Sequence, residues 1–183
     1  MEPAARPIVV VDADPGWPER FSRLGARLRS SLGSRAVRID HIGSTAVPDL
    51  DAKPVIDVQV SVVALEPVDL YRGRLEACGF VWREHNPELT KRYFRERPGD
   101  RETHIHVRRA GSLDEQLALL LRDYLRTHPD TSREYAALKR RLARTTTTRL
   151  AYTEGKAPFT WATLRAADAW AQDIGWEPDG SDA

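Results

Sequence analysis

The sequence predicts an α/β chain of the α+β kind: a sheet domain over residues 1–110, a helical part over 111–176, and a frayed tail over 177–183. Two observations predict it. Short apolar runs with a period of two recur as far as Arg109, whereas beyond Ser112 the apolar residues recur at helical spacing. With 183 residues, the chain can bury a sizeable core without disulfides or metal staples.

Taken in order, Ile8 to Val11 is a short β-branched run, and the Asp-Pro-Gly-Trp-Pro turn after it leads into Glu19–Leu32. There Phe21, Leu24, Leu28 and Leu32 mark one face of a helix that stops at Gly33. Val37, Ile39 and His41 alternate with Arg38 and Asp40, the pattern of a strand that delivers His41 to the mouth of a Gly-Ser turn. Val55 to Val63 is apolar enough to be a central strand, with Asp57 and Gln59 on one face and Ile56, Val58 and Val60 on the other. Pro67 to Cys78 reads as a helix ended by Gly79, and Phe80–Trp82, Lys91–Arg95 and Arg101–Arg109 read as strands, the last two joined at Pro98-Gly99-Asp100. Within the last, Ile105 and Val107 share one face and His104 and His106 the other. Leu113–Thr127, with Ser112 as its cap, then Asp130–Arg144, then a long helix through Tyr152, Phe159, Trp161, Leu164 and Trp170, complete the chain.

Lys plus Arg number 28 and Asp plus Glu 27, a net charge of +1, so no global field points to nucleic acid or an anionic membrane. Any polyanion site must be local. The basic cluster Lys139-Arg140-Arg141 with Arg144 reads as a solvated helix face. A lone cysteine, Cys78, excludes an internal disulfide and a cysteine-built metal site, in keeping with a cytoplasmic, reducing setting. No apolar run reaches the roughly 18 residues of a spanning helix, and the N-terminal MEPAARPIVV lacks a signal-peptide core.

The chemistry concentrates in HIGSTAVPDLDAKPVIDVQV at 41–60. Gly43 lets backbone approach a ligand, and Ser44, Thr45 and Ala46 can begin a helix whose N–H groups meet an anion. Asp57 follows on a strand where it can hold a cation against phosphate.

Several stretches resemble the GrpB-like family: DPGWPERF at 14–21, residues 41–60, THIHV at 103–107, LLRDYLRTHP at 120–129, EYAALKRRLA at 134–143 and AYTEGKAPF at 151–159. That family is similar to the nucleotidyltransferases typified by DNA polymerase β. The resemblance implies a nucleotidyltransferase-like mixed sheet flanked by helices. It also implies a Gly-Ser turn, matched by Gly43 and Ser44, and a strand with two acids one residue apart, of which Asp57 matches the first. The second position is Gln59, and a later strand offers His104 and His106 where a third acid is expected. Two Mg²⁺ ions need more hard anionic ligands than this.

Three readings stand side by side. In the first, a nucleoside monophosphate passes from an NTP to a small-molecule acceptor with a divalent ion, Mg or Mn. Ser44 and the Gly43–Thr45 backbone hold phosphates, Lys53 or Lys156 offsets leaving-group charge, and His41, His104 or His106 serves as base. Tyr152 and Lys156, four apart, share a helix face. In the second, the same pocket binds a nucleotide or metabolite without turnover. In the third, His41, His104, His106 and Asp57 hold a transition metal such as Zn or Fe. Arg92 and Arg95 are further candidate phosphate ligands, while Arg122, with Asp123 and Arg126, either pins the helical part to the sheet or reaches the pocket as an anion contact.

Overall fold

The structure, a computed structural model, describes residues 8–97 and 103–183. The expected Pro98-Gly99-Asp100 turn, the first two residues of the strand expected over 101–109, and residues 1–7 lie outside the described residues.

The chain forms helix α1 (Trp17–Leu32), strand β1 (Arg38–Ile42), β2 (Ile56–Val62), α2 (Asp69–Ala77), β3 (Phe80–Trp82), β4 (Lys91–Glu96), β5 (Thr103–Arg109), α3 (Leu113–Thr127), α4 (Pro129–Thr145) and α5 (Arg149–Ile174). The five strands lie in the order β1-β2-β5-β4-β3. β2 and β5 run parallel, and the other neighbours run antiparallel. The sheet is therefore mixed. Its parallel pair needs a long crossover, which α2, β3 and β4 supply.

Strand alternation divides the sheet into two chemically distinct faces. Ile56, Val58, Val60 and Val62 of β2, Ile105 and Val107 of β5 and Phe94 of β4 join Trp17, Phe21, Leu28 and Leu32 of α1 and Tyr71 and Leu75 of α2 in the main core. The opposite face carries Asp57, Gln59, His104, His106 and Arg108, and the C-terminal helices cover much of it. Val47, Leu50, Leu125 and Tyr135 form one apolar cluster there with Phe159, and Leu120, Tyr124 and Ala167 form another with Trp170 and Trp176. Polar pins add direction. Arg122 donates to Asp123 Oδ1 at 2.7 Å and to the His41 carbonyl at 3.2 Å, and Arg126 donates to the Ala46 carbonyl at 2.9 Å.

Three expectations need correction. Ser112 sits at the N-cap of α3, yet its hydroxyl makes no cap bond, and Glu115 Oε2 instead accepts the Gly111 N–H at 2.6 Å. Ser44–Ala46 is a single 3₁₀ turn and does not continue into a helix, since Val47 returns to extended backbone. The tail is not frayed. Ala183 N–H donates to the Ile39 carbonyl at 3.1 Å, Ser181 Oγ accepts from Ile39 N–H at 2.8 Å, and Asp182 Oδ2 accepts from His41 N–H at 2.8 Å and Arg122 at 2.9 Å. These bonds occupy the free edge of β1, where unpaired backbone groups need partners. Among the described residues no helix is long and apolar enough to cross a membrane.

Candidate functional site

Parallel pairing of β2 with β5 sets Asp57 opposite His104 and Gln59 opposite His106. The two histidines converge on one oxygen. His104 Nδ1 lies 3.2 Å and His106 Nε2 3.1 Å from Asp57 Oδ1. The possible ligand atoms of the three residues lie within 4.8 Å of one another. Burial works to raise the Asp57 carboxyl, but the hydrogen bonds from His104 and His106 outweigh it and hold the group well below the usual carboxylate range. Burial lowers the His106 imidazole against the pull of Asp57, with Lys91 and Arg108 adding to the lowering. An ionised Asp57 only accepts, so both rings direct an N–H at it. His104 Nε2 and His106 Nδ1, the ring nitrogens turned away from Asp57, are both buried with no hydrogen-bond partner among the described residues.

Gly43 is the residue that makes room for this carboxylate. At φ 71° and ψ −170° it occupies backbone space essentially reserved for glycine, and a Cβ there would lie 2.8 Å from Asp57 Oδ2. The Gly-Ser turn is thus packed directly on the acid.

Ser44, Thr45, Lys53, Asp57, His104 and His106 line a cavity of about 300 Å³, closed from the helical side by Lys139 of α4 and by Tyr152, Thr153 and Lys156 of α5. Gly155 lets these helices approach, because a Cβ there would come within 2.6 Å of Leu142. Lys53 and Lys156 place their ammonium groups 4.9 and 4.8 Å from the centre of the Tyr152 ring. Lys139, 2% exposed, sits 4.6 Å from the Tyr135 ring centre and donates to the Asp51 carbonyl. Burial first and the Lys156 charge second bring Lys139 down to about 7. Burial and then Lys53 bring Lys156 to about 8. Among the described residues that line the cavity, Asp57 is the one carboxylate. Such a site favours an anion.

The structure therefore brings together Asp57, His104, His106, Ser44, Thr45, Lys53, Tyr152 and Lys156, with Gly43 behind them. It does not bring in the others. His41 is 4% exposed, stacks on Phe21 at 4.7 Å, and meets Thr45 Oγ1 at 3.0 Å. Thr45 donates its proton to the Val55 carbonyl at 3.1 Å, so His41 donates to Thr45 and no hydroxyl proton is left for a ligand. Burial and the charge of Arg126 lower His41 to about 4, which keeps it neutral. Gln59 is fully buried, accepts from Arg108 at 2.6 Å and donates to the Glu115 carbonyl at 3.3 Å, so it docks α3 on the sheet. Arg122 is a tether, as described above. Arg92 pairs with Val107 and so lies on the core face, where it bonds Glu66 at 2.6 Å. Arg95 pairs with His104, on the histidine face, outside the cavity lining. Lys139 was missed because it reads as part of a solvated basic run. Its neighbour Arg140 is indeed outside, paired with Asp51 at 2.8 Å. The one available signal was helical phase, since Tyr135 and Lys139 are four apart and share a face.

Residues 7–166 match the family model described as GrpB protein. The chain belongs to the GrpB family. The crystal structure of conserved protein GrpB from Enterococcus faecalis superposes with a TM-score of 0.79 at 32% identity, covering 88% of this chain and 99% of that one. A UPF0157 protein of Pseudomonas aeruginosa is 41% identical over 155 residues, 81% of this chain and 63% of that protein. UPF0157 protein YqkA of Bacillus subtilis is 35% identical over 138 residues, 75% of this chain and 40% of YqkA. A protein of Mycolicibacterium paratuberculosis named dephospho-CoA kinase is 34% identical over 201 residues, 96% of this chain and 49% of that protein. The GrpB chain thus spans about half the length, or less, of these last two relatives.

Proposed function

We propose that this GrpB-family chain binds the phosphates of a nucleoside triphosphate beside one divalent ion and transfers the nucleoside monophosphate to a small acceptor, as nucleotidyltransferases do. The observation that carries the reading is convergence. An ionised aspartate with two histidines and the lysines 53, 139 and 156 face one cavity at the junction of sheet and helices. The mycobacterial relative's name, dephospho-CoA kinase, supports a phosphorylated metabolite as the ligand class.

The donor set favours a single ion over a pair. With Gln59 committed to Arg108 and α3, Asp57 has no second carboxylate on its strand face, so a two-Mg²⁺ site does not fit. One carboxylate and two imidazoles fit a single Mn, Zn or Fe ion better than Mg. Asp57, His104 and His106 would hold it, and when bound it supplies Lewis acidity to a phosphoryl oxygen. The remaining work falls to the chain. Lys53, Lys139 and Lys156 fix the phosphates and offset charge on the departing pyrophosphate. Asp57 bonds both imidazoles and so fixes their orientation.

The test is incubation with α-labelled NTP, Mn²⁺ and a metabolite pool. A labelled non-nucleotide product that disappears in Asp57→Asn is expected, and a product that survives that substitution overturns the role of Asp57. The loss of the second acid at Gln59 favours one alternative, a nucleotide-binding module. In that case nucleotides raise the melting temperature and no product forms.

A further inference from the structure

Lysine is scarce in this chain, with 4 against 24 arginines, yet Lys53, Lys139 and Lys156 line one cavity. A guanidinium stays charged in proteins, whereas an amine can lose its proton and expose a lone pair. Lysine is therefore the cation that can also act as a nucleophile. Lys139 is the best placed for it. It is 2% exposed, and its amine meets the Asp51 carbonyl and the face of the Tyr135 ring, 4.6 Å from the ring centre. The carboxylate of the same Asp51 is committed elsewhere, Oδ2 to Arg140 at 2.8 Å and Oδ1 to the Ala13 N–H at 3.1 Å. A buried amine held by a neutral carbonyl and a ring has little to favour its charged form. Burial and the charges of Lys156 on α5 and Arg140 on α4 outweigh the pull of Asp51 in the loop before β2, and the amine titrates at about 7.

We propose that Lys139 is a covalent site, an amine nucleophile that condenses with a small aldehyde or ketone carrying an anionic group. Desolvation beside a second cation is an arrangement that activates a lysine for this chemistry. The neutral Nζ adds to the carbonyl carbon, the C–O π electrons pass to oxygen, and a proton moves from nitrogen to that oxygen. Loss of water from this carbinolamine leaves the C=N bond of an imine, and no oxidant or reductant is consumed. The protonated imine retains one N–H, enough for the Asp51 carbonyl that Lys139 already meets. Lys156, a cation of the same cavity, favours a ligand with an anionic group, and a volume of about 300 Å³ limits that ligand to a small molecule. The inference shares the cavity of the proposed function and needs neither nucleotide nor metal.

The experiment treats the whole chain at pH 7 with pyridoxal phosphate, an anionic aldehyde, traps imines with borohydride, and locates the adducts by peptide mass spectrometry. Lys139 should carry at least about fivefold more adduct than Lys53, Lys91 or Lys156. Pyridoxal, the same aldehyde without the phosphate, should label Lys139 at least about fivefold less. Lys139→Arg keeps a donor for the Asp51 carbonyl but cannot condense, and should lower the lysine-bound adduct at least about fivefold. An adduct spread evenly over the four lysines, or concentrated on one of the other three, overturns the proposal. Equal labelling by pyridoxal overturns the anionic ligand class. If Lys139→Arg fails to fold, the peptide map of the unmodified chain decides by itself. A labelled nucleotidyl product from a chain that forms no Lys139 adduct sinks this inference and leaves the proposed reaction standing. A selective Lys139 adduct without nucleotidyl transfer does the reverse.

Discussion

Gly43 and Asp57 act as a pair, the glycine's bare Cα face fitted against the carboxylate. Gly43→Ala should cost about 1–3 kcal/mol in a urea melt, because it adds backbone strain. It should also displace Asp57 Oδ2, which a Cβ would approach to 2.8 Å, so Mn²⁺ binding measured by titration calorimetry should weaken in parallel. A second expectation concerns His41, neutral in the fold with its titration near 4 against an ordinary 6.5. Its surroundings are Arg122 and Arg126 of α3, Asp57 of β2 and Asp182 of the tail. Above pH 6.5 neither folded nor unfolded chain protonates it. Between 6.5 and 4 the unfolded chain takes up the proton and the folded chain does not, so stability falls with acidity by up to about 3 kcal/mol. His106, also lowered, acts in the same direction. Urea melts at pH 7 and pH 4.5 should show the loss, and His41→Phe should reduce it. At this scale the strand residues were legible in the sequence, since alternation alone puts Asp57 on one face of its strand and His104 and His106 on one face of theirs. Lys139 was not, because a helical lysine's burial depends on where a distant loop carbonyl, that of Asp51, comes to rest.

The edge strand β1 and the tail show what propensity cannot reveal. Asp-Gly-Ser-Asp-Ala has almost no apolar surface, the usual reason to expect fraying. What holds it is backbone pairing to Ile39 and a charged bond to the buried Arg122. Asp182→Ala removes the acceptor of both the His41 N–H and Arg122, leaving a buried guanidinium with Asp123 as its remaining ion partner. A loss of about 1–3 kcal/mol is expected, with faster hydrogen exchange at Ile39 and His41 than at the central β2 amides. An unchanged exchange pattern would show that β1 does not depend on the tail. Other element bounds were read well because each carries its own period and stop signal, α3 from Leu113 to Thr127 above all.

At the scale of the molecule, a net charge of +1 conceals a concentrated positive field where the sheet meets α4 and α5. Neither half holds the site alone, so anion binding should raise the melting temperature of the whole chain in one transition. Lys139 at about 7 and Lys156 at about 8 are charged below these values and neutral above them. Their neighbours are Lys53, Arg140, Asp51 and Asp57. Affinity for sulfate, whose own charge is constant, should therefore fall as pH rises from 6.5 to 9, as read by titration at fixed ionic strength. A flat profile would mean that these lysines do not hold the anion.

Gln59 has a consequence for the history open to this sequence. Changing it to aspartate would give β2 two acids one residue apart, at 57 and 59. In this fold the new carboxylate would lie beneath α3, against Arg108 and the Glu115 backbone, sealed from the cavity. That single substitution thus cannot give the cavity a second carboxylate. The docking of α3 would have to shift first, so the interface between sheet and helices acts as a ratchet on which reactions its descendants can reach.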